Sequence, residues 1–89
     1  MISAAVTVIN KLGLHARAAT KLVTVASVFN AEVTLKRGAR EINAKSIMGV
    51  LTLAASIGTE LTVTTDGPDE EDALGAILEL INDRFGEGE

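Results

Sequence analysis

The chain has 89 residues, a net charge of −4 and an apolar share of 47%, with no cysteine and only Phe29 and Phe85 as aromatics. That is one domain's worth of chain, with a core to be built from Val, Leu, Ile and Ala. Overall acidity argues against a nucleic-acid binder, missing thiols exclude disulfides and thiolate chemistry, and no run of about 18 apolar residues is present to cross a membrane.

The N-terminal MISAAVTVIN has no basic stretch ahead of an apolar core and does not read as a secretory signal, so a cytoplasmic protein is expected. Residues 1–47 carry seven Lys/Arg against two Glu, whereas residues 48–89 carry Arg84 against ten acids. A basic first half suits an anionic ligand or an acidic partner, the plain alternative being an unevenly charged, solvated surface.

ISAAVTVI alternates Ile2, Ala4, Val6 and Val8 against Ser3, Ala5 and Thr7, the pattern of a half-buried strand. NKLG breaks it. From Ala16 to Phe29, Ala19, Leu22, Val23 and Ala26 recur at helical spacing, and Asn30 is a residue able to end the helix in the left-handed conformation. AEVTLKRGAREIN reads as a hairpin, with Val33 and Leu35 on one face, a turn at Arg37–Gly38 and a short strand around Ile42. Ser46 is a good cap for a short helix starting at Ile47, weakened by Gly49 and ended by Gly58. TELTVTTDG alternates Leu61, Val63 and Thr65 as a last strand. PDEEDALGAILELINDRF is the clearest helix, with acids at its positive end and a stripe of Leu74, Ile77, Leu78 and Ile81. The tail GEGE is expected to fray. The order β-α-β-β-α-β-α with one-sided strands predicts an α+β fold of two layers, a four-stranded antiparallel sheet with helices on one face.

His15, the sole histidine, precedes the first helix at its N-cap, where histidine is not a favoured residue. The amides of Ala16, Arg17 and Ala18 would lack intrahelical acceptors there, which makes an anion site beside the ring. The helix dipole and the Arg17 charge both favour a neutral, nucleophilic imidazole. Gly13 allows a tight bend that stands the ring clear of the sheet. No acid–base partner lies close in sequence, so these residues point to a covalent carrier of an anionic group rather than an independent hydrolase. The plain alternative is a histidine that happens to start a helix, in a small binding module. A metal site lacks the second His or Cys it would need.

GLHAR before a small-residue helix, KSIMGVLTLAA further on and GPDEEDAL near the end resemble the HPr family over nearly the whole chain. These are the histidine-containing phosphocarriers of the bacterial phosphoenolpyruvate-dependent sugar phosphotransferase system. The resemblance implies phosphorylation of His15 at Nδ1, Enzyme I as donor and IIA domains of sugar transporters as acceptors, with Arg17 steering the phosphate. It also implies regulatory phosphorylation of Ser46 by an HPr kinase/phosphorylase, no cofactor, no enzymatic turnover and an open-faced β-sandwich with sheet order 1-4-2-3. The nitrogen-related branch of the family, with a regulatory role, is the alternative. One position departs: the family usually reads His-x-Arg-Pro, and here the last residue is Ala18. Alanine keeps a backbone N–H that proline lacks and gives up its fixed φ.

Ser46 as a cap has an ordinary structural use, and a phosphate there would sit where the dipole favours negative charge. Ile47, Met48 and Leu51 cannot all turn inward on so short a helix, so they form a candidate docking patch; completion of the core is the alternative. Thr20, Lys21 and Lys45 join the patch as candidate docking residues, with Arg17, Lys21 and Lys45 as a basic rim for acidic partners. Nothing in the sequence calls for more than a monomer.

Overall fold

The computed structural model describes residues 1–88; Glu89, the end of the tail expected to fray, lies outside them. The elements are β1 (Ile2–Thr7), α1 (Ala16–Ser27), β2 (Glu32–Arg37), β3 (Arg40–Asn43), α2 (Ile47–Thr52), β4 (Glu60–Asp66) and α3 (Glu70–Asn82), followed by a 3₁₀ turn at Arg84–Gly86. The strands form one antiparallel sheet in the order β1-β4-β2-β3. The register sets Val6 opposite Leu61, and Val63 opposite both Ala4 and Leu35, so the apolar set of each strand shares one face. The three helices cover that face, while Ser3, Ala5 and Thr7 turn outward. This is the expected two-layer α+β architecture with the expected sheet order.

Leu22, Leu35, Leu53, Leu61, Ile77, Ile81 and Phe85 are buried completely or nearly so between the layers. Each contributes about 1.5–3 kcal/mol by leaving water. On α1 the buried residues are Ala18, Ala19, Leu22 and Ala26, three of them small enough to let the helix lie close to its neighbours. No helix among the described residues is long and apolar enough to cross a membrane.

Three helix ends differ from expectation, each for a local reason. α1 stops at Ser27 and unwinds through tighter bonds from Val28 to Val25 and from Phe29 to Ala26. Asn30 is not left-handed. The Asp69 carboxylate instead accepts the amides of Asn30 at 2.9 Å and Ala31 at 2.7 Å, so a group from across the fold ends the helix. The Asn30 amide, more than the Ala31 amide, holds Asp69 below the usual carboxylate value of 3.8 against the opposing effect of partial burial.

The second helix, α2, ends at Thr52 and not at Gly58, because Ala54 takes the left-handed position after it at φ 51°. Arg37 Nη1 donates to the carbonyls of Leu53 at 2.7 Å and Ala54 at 3.1 Å, satisfying that end. Gly49 lies on the crowded side of α2: a Cβ there would come within 3.3 Å of Ser46 Oγ and 3.4 Å of Ile42 Cβ. Glycine there leaves room between α2 and β3, where a methyl group would be a tight fit.

The last helix, α3, ends at Asn82, three residues before Phe85. Arg84 and Phe85 are both left-handed, each at φ 54°, and this double bend drives the Phe85 ring into the core with the residue 1% exposed.

Candidate functional site

The loop from β1 to α1 is held in place on two sides. Asn10 is fully buried; its amide donates to the Gly13 carbonyl at 2.8 Å, and the Gly13 N–H donates back to the Asn10 carbonyl at 3.2 Å. Gly13 has φ 64°, and a Cβ on it would fall 2.4 Å from the Ala55 oxygen and 2.8 Å from Ser56 Cα. Only glycine lets the loop lie against the α2–β4 connection this closely, and the next amide, of Leu14, donates to that Ala55 oxygen at 2.8 Å.

This placement puts His15 at the N-cap of α1, extended at φ −75° and ψ 177°, with no cap bond from its side chain. The ring is therefore spare for other work. The first bond from the helix to the cap is from the Ala19 N–H to the His15 carbonyl at 2.8 Å, which leaves the amides of Ala16, Arg17 and Ala18 without helical acceptors. Ala16 and Arg17 are exposed, whereas Ala18 is wholly buried, so the open part of the anion site belongs to the first two residues. The His15 side chain is 27% exposed, enough to be reached from solvent.

The expectation that the tail frays is corrected at Glu87, and the acid–base partner that is missing close in sequence comes from far along it. Glu87 returns to the histidine: its Oε2 lies against His15 Nε2, and its Oε1 accepts from the Asn10 amide at 3.0 Å. Only 11% of its side chain is exposed. The bond from His15, with the Asn10 amide adding to it, holds the Glu87 carboxyl below its usual value of 4.5 against the cost of burial. An ionised carboxylate can only accept hydrogen bonds, so the proton of this pair sits on Nε2. In the neutral ring, Nδ1 is then the nitrogen with the free lone pair.

Arg17 shares a cleft with Lys11, Leu12, Lys21, Gly86 and Glu87, which gathers three cations around the carboxylate that meets the ring. Lys21 is tethered in it, donating from Nζ to the Phe85 carbonyl at 2.6 Å. Thr20 is exposed one turn into α1, with its hydroxyl bonded to the Ala16 carbonyl at 2.8 Å. Lys45 does not rim the histidine: its ammonium donates to the Phe29 carbonyl at 2.8 Å, beyond the far end of α1. A helix of twelve residues, about 18 Å long, separates the two ends.

Ser46 caps α2, its Oγ accepting from the Gly49 amide at 3.1 Å. Ile47 and Leu51 are each 37% exposed and Met48 is 68% exposed, whereas Val50 turns into the core. Sequence reasoning passed over four further exposed apolar residues, Met1, Val28, Leu12 in the loop before His15 and Ile57 in the loop pinned against Gly13. It also missed Asn10 and Glu87, which stand 77 positions apart with no shared motif.

Residues 2–83 match the family model described as PTS HPr component phosphorylation site. Over all 89 residues the chain is 55% identical to the phosphocarrier protein HPr of Cupriavidus necator, covering 100% of both chains. It is 46% identical over 82 residues to the phosphocarrier protein NPr of Shewanella violacea, covering 92% of this chain and 90% of that one. Among solved structures, HPr-C-His from Thermoanaerobacter tengcongensis superposes with a TM-score of 0.95 at 39% identity, covering 98% of each chain.

Proposed function

The chain belongs to the HPr family of phosphotransferase-system phosphocarriers, and from that premise we propose that His15 accepts a phosphoryl group from Enzyme I and passes it to IIA domains of sugar transporters. The observation that carries this reading is the imidazole at an uncapped helix start, 27% exposed, with one nitrogen occupied and the other free. The Nδ1 lone pair attacks phosphorus, the bond from phosphorus to the donor breaks, and its electron pair leaves with the donor. The exposed amides of Ala16 and Arg17, with the Arg17 guanidinium, face the charge spread over the transferring PO₃. Transfer to an acceptor runs the same step in reverse. Every group in this scheme comes from one copy of the chain, so the scheme needs no second copy, and we place it in the cytoplasm.

Docking uses the exposed Ile47, Met48 and Leu51, joined by the exposed Leu12 and Ile57, with Arg17 and Lys21 as the basic edge. Phosphorylation of Ser46 places negative charge at the head of this patch without removing the cap, and so weakens the approach of acidic partners. The decisive experiment is incubation with phosphoenolpyruvate and Enzyme I. An acid-labile mass gain of one phosphoryl group, abolished by His15→Ala, is the expected result; a gain that survives His15→Ala refutes the assignment. The similarity to a protein named NPr supports a second reading, a nitrogen-branch carrier. Transfer to a nitrogen-branch acceptor but to no sugar IIA domain would decide for it.

A further inference from the structure

The last residues of the chain are built to deliver a carboxylate to the histidine. Phe85 anchors them in the core, and Arg84 and Phe85 adopt in succession a conformation that non-glycine residues avoid. Lys21 fixes the Phe85 carbonyl at 2.6 Å. Glu87 then reaches back between His15 Nε2 and the Asn10 amide. The orientation of Asn10 is determined: both of its partners, the Gly13 carbonyl and Glu87 Oε1, are acceptors, so the NH₂ group must face them. A buried asparagine, two strained residues and an anchored aromatic thus converge on one contact.

We propose that Glu87 is a positioning residue for phosphoryl transfer, acting through His15 and held by Asn10. It rests on the reading of His15 as the phosphoryl acceptor. Glu87 keeps the ring proton on Nε2, so that Nδ1 carries the lone pair. Once Nδ1 has bonded to phosphorus, the ring with its Nε2 proton carries positive charge, and the carboxylate opposite compensates it. No proton need enter or leave during the step. The precise aim of the ring is set by the second oxygen of Glu87, which Asn10 holds.

The test uses the full chain labelled with ¹⁵N-histidine, as wild type, Glu87→Ala, Glu87→Gln and, as a charge control away from the site, Glu71→Ala. Wild type and Glu71→Ala should show the Nε2-protonated tautomer at mildly alkaline pH and equal uptake rates from phosphorylated Enzyme I. Glu87→Ala should show a mixed tautomer signature and an uptake rate lower by about tenfold, the loss of one hydrogen bond to a charged group. Glu87→Gln keeps an acceptor oxygen and should recover the tautomer. An unchanged rate in Glu87→Ala overturns the proposal whatever the spectrum shows. So does a slower rate with an unchanged ¹⁵N pattern, which would mark a merely structural tail. If wild type itself takes up no phosphoryl group, the carrier reading fails instead, and the tautomer comparison still judges the contact.

Discussion

Gly13→Ala is the sharpest perturbation of the loop that presents His15. The position is left-handed at φ 64°, and the new methyl would sit 2.4 Å from the Ala55 oxygen. Left-handed alanine costs about 1–2 kcal/mol, of which the stiffer unfolded chain adds back only about 0.4–1 kcal/mol of stability. The clash is with backbone, so the loops must separate, which breaks the bond from the Leu14 N–H to the Ala55 carbonyl. Leu14 is 5% exposed, and a buried amide left unpaired costs about 1–3 kcal/mol. The net loss is roughly 2–3 kcal/mol, or about 10–20 °C in Tm for a domain of this size. Gly38→Ala supplies the comparison, since Gly38 has φ 59° with nothing within 4 Å of its added Cβ. It should lose only the conformational part, about 1 kcal/mol or less. Thermal unfolding measures both. In a transfer assay at a temperature where both variants are folded, Gly13→Ala should take up phosphate roughly a hundredfold more slowly, as small misplacements of reacting groups do, and Gly38→Ala at the wild-type rate. Equal losses of Tm in the two variants would refute the close approach to Ala55 as the reason for glycine.

Ser46→Ala removes the oxygen that caps the Gly49 amide and should lower Tm by roughly 4–8 °C, about 1 kcal/mol, in thermal unfolding. Ser46→Asp keeps an acceptor there and should stay within a few degrees of wild type, while slowing phosphoryl uptake from Enzyme I in a stopped-flow assay. Ala18→Pro removes no helical bond, because the Ala18 amide precedes the first one, and should change the transfer rate by less than about tenfold. Asp69 has a depressed value in the fold, so its stabilisation is present above the unfolded value near 3.8 and is lost as pH falls through the lower, folded one. Asp69→Asn should therefore be less stable than wild type at pH 7, with the gap closing below about pH 4 in acid-denaturation curves.

Periodicity made the layers legible: alternation in β1, β2 and β4 matches the buried face, and of the expected α3 stripe Ile77 and Ile81 are buried with Ala73 while Leu74 and Leu78 pack half-buried at its edge. His15 was legible as a cap because a strand, a glycine loop and a small-residue helix meet there. The ends of helices were not, because distant groups decide them. Asn30 carried a local signal for a left-handed stop, and the Asp69 carboxylate, 39 positions away, satisfied the backbone in another way. Lys45 looked like part of one basic rim only because its neighbour is Ser46; in space its charge serves the other end of α1. The tail misled most. Glycines and glutamates at a chain end read as loose, and the contrary signal was the single Phe85 before them, which a core poor in aromatics takes in.

That aromatic explains why a site made of one histidine can still be specific. A lone imidazole on a surface loop would exchange its proton between two nitrogens and point in several directions. Here three separate pieces of chain limit it: the Gly13 loop fixes its backbone, the start of α1 supplies open amides on one side, and the tail anchored by Phe85 presents Glu87 on the other. The carboxylate engages Nε2, leaving the remaining nitrogen for chemistry. The cations of Lys11, Arg17 and Lys21 beside Glu87 offset its negative charge, so an anion approaching the proposed site meets a cleft with more positive than negative side chains. On the proposed roles of His15 and Glu87, a tail carrying the carboxylate without that basic cleft would repel the phosphoryl group, so the basic first half of the sequence and its acidic end would work as one device.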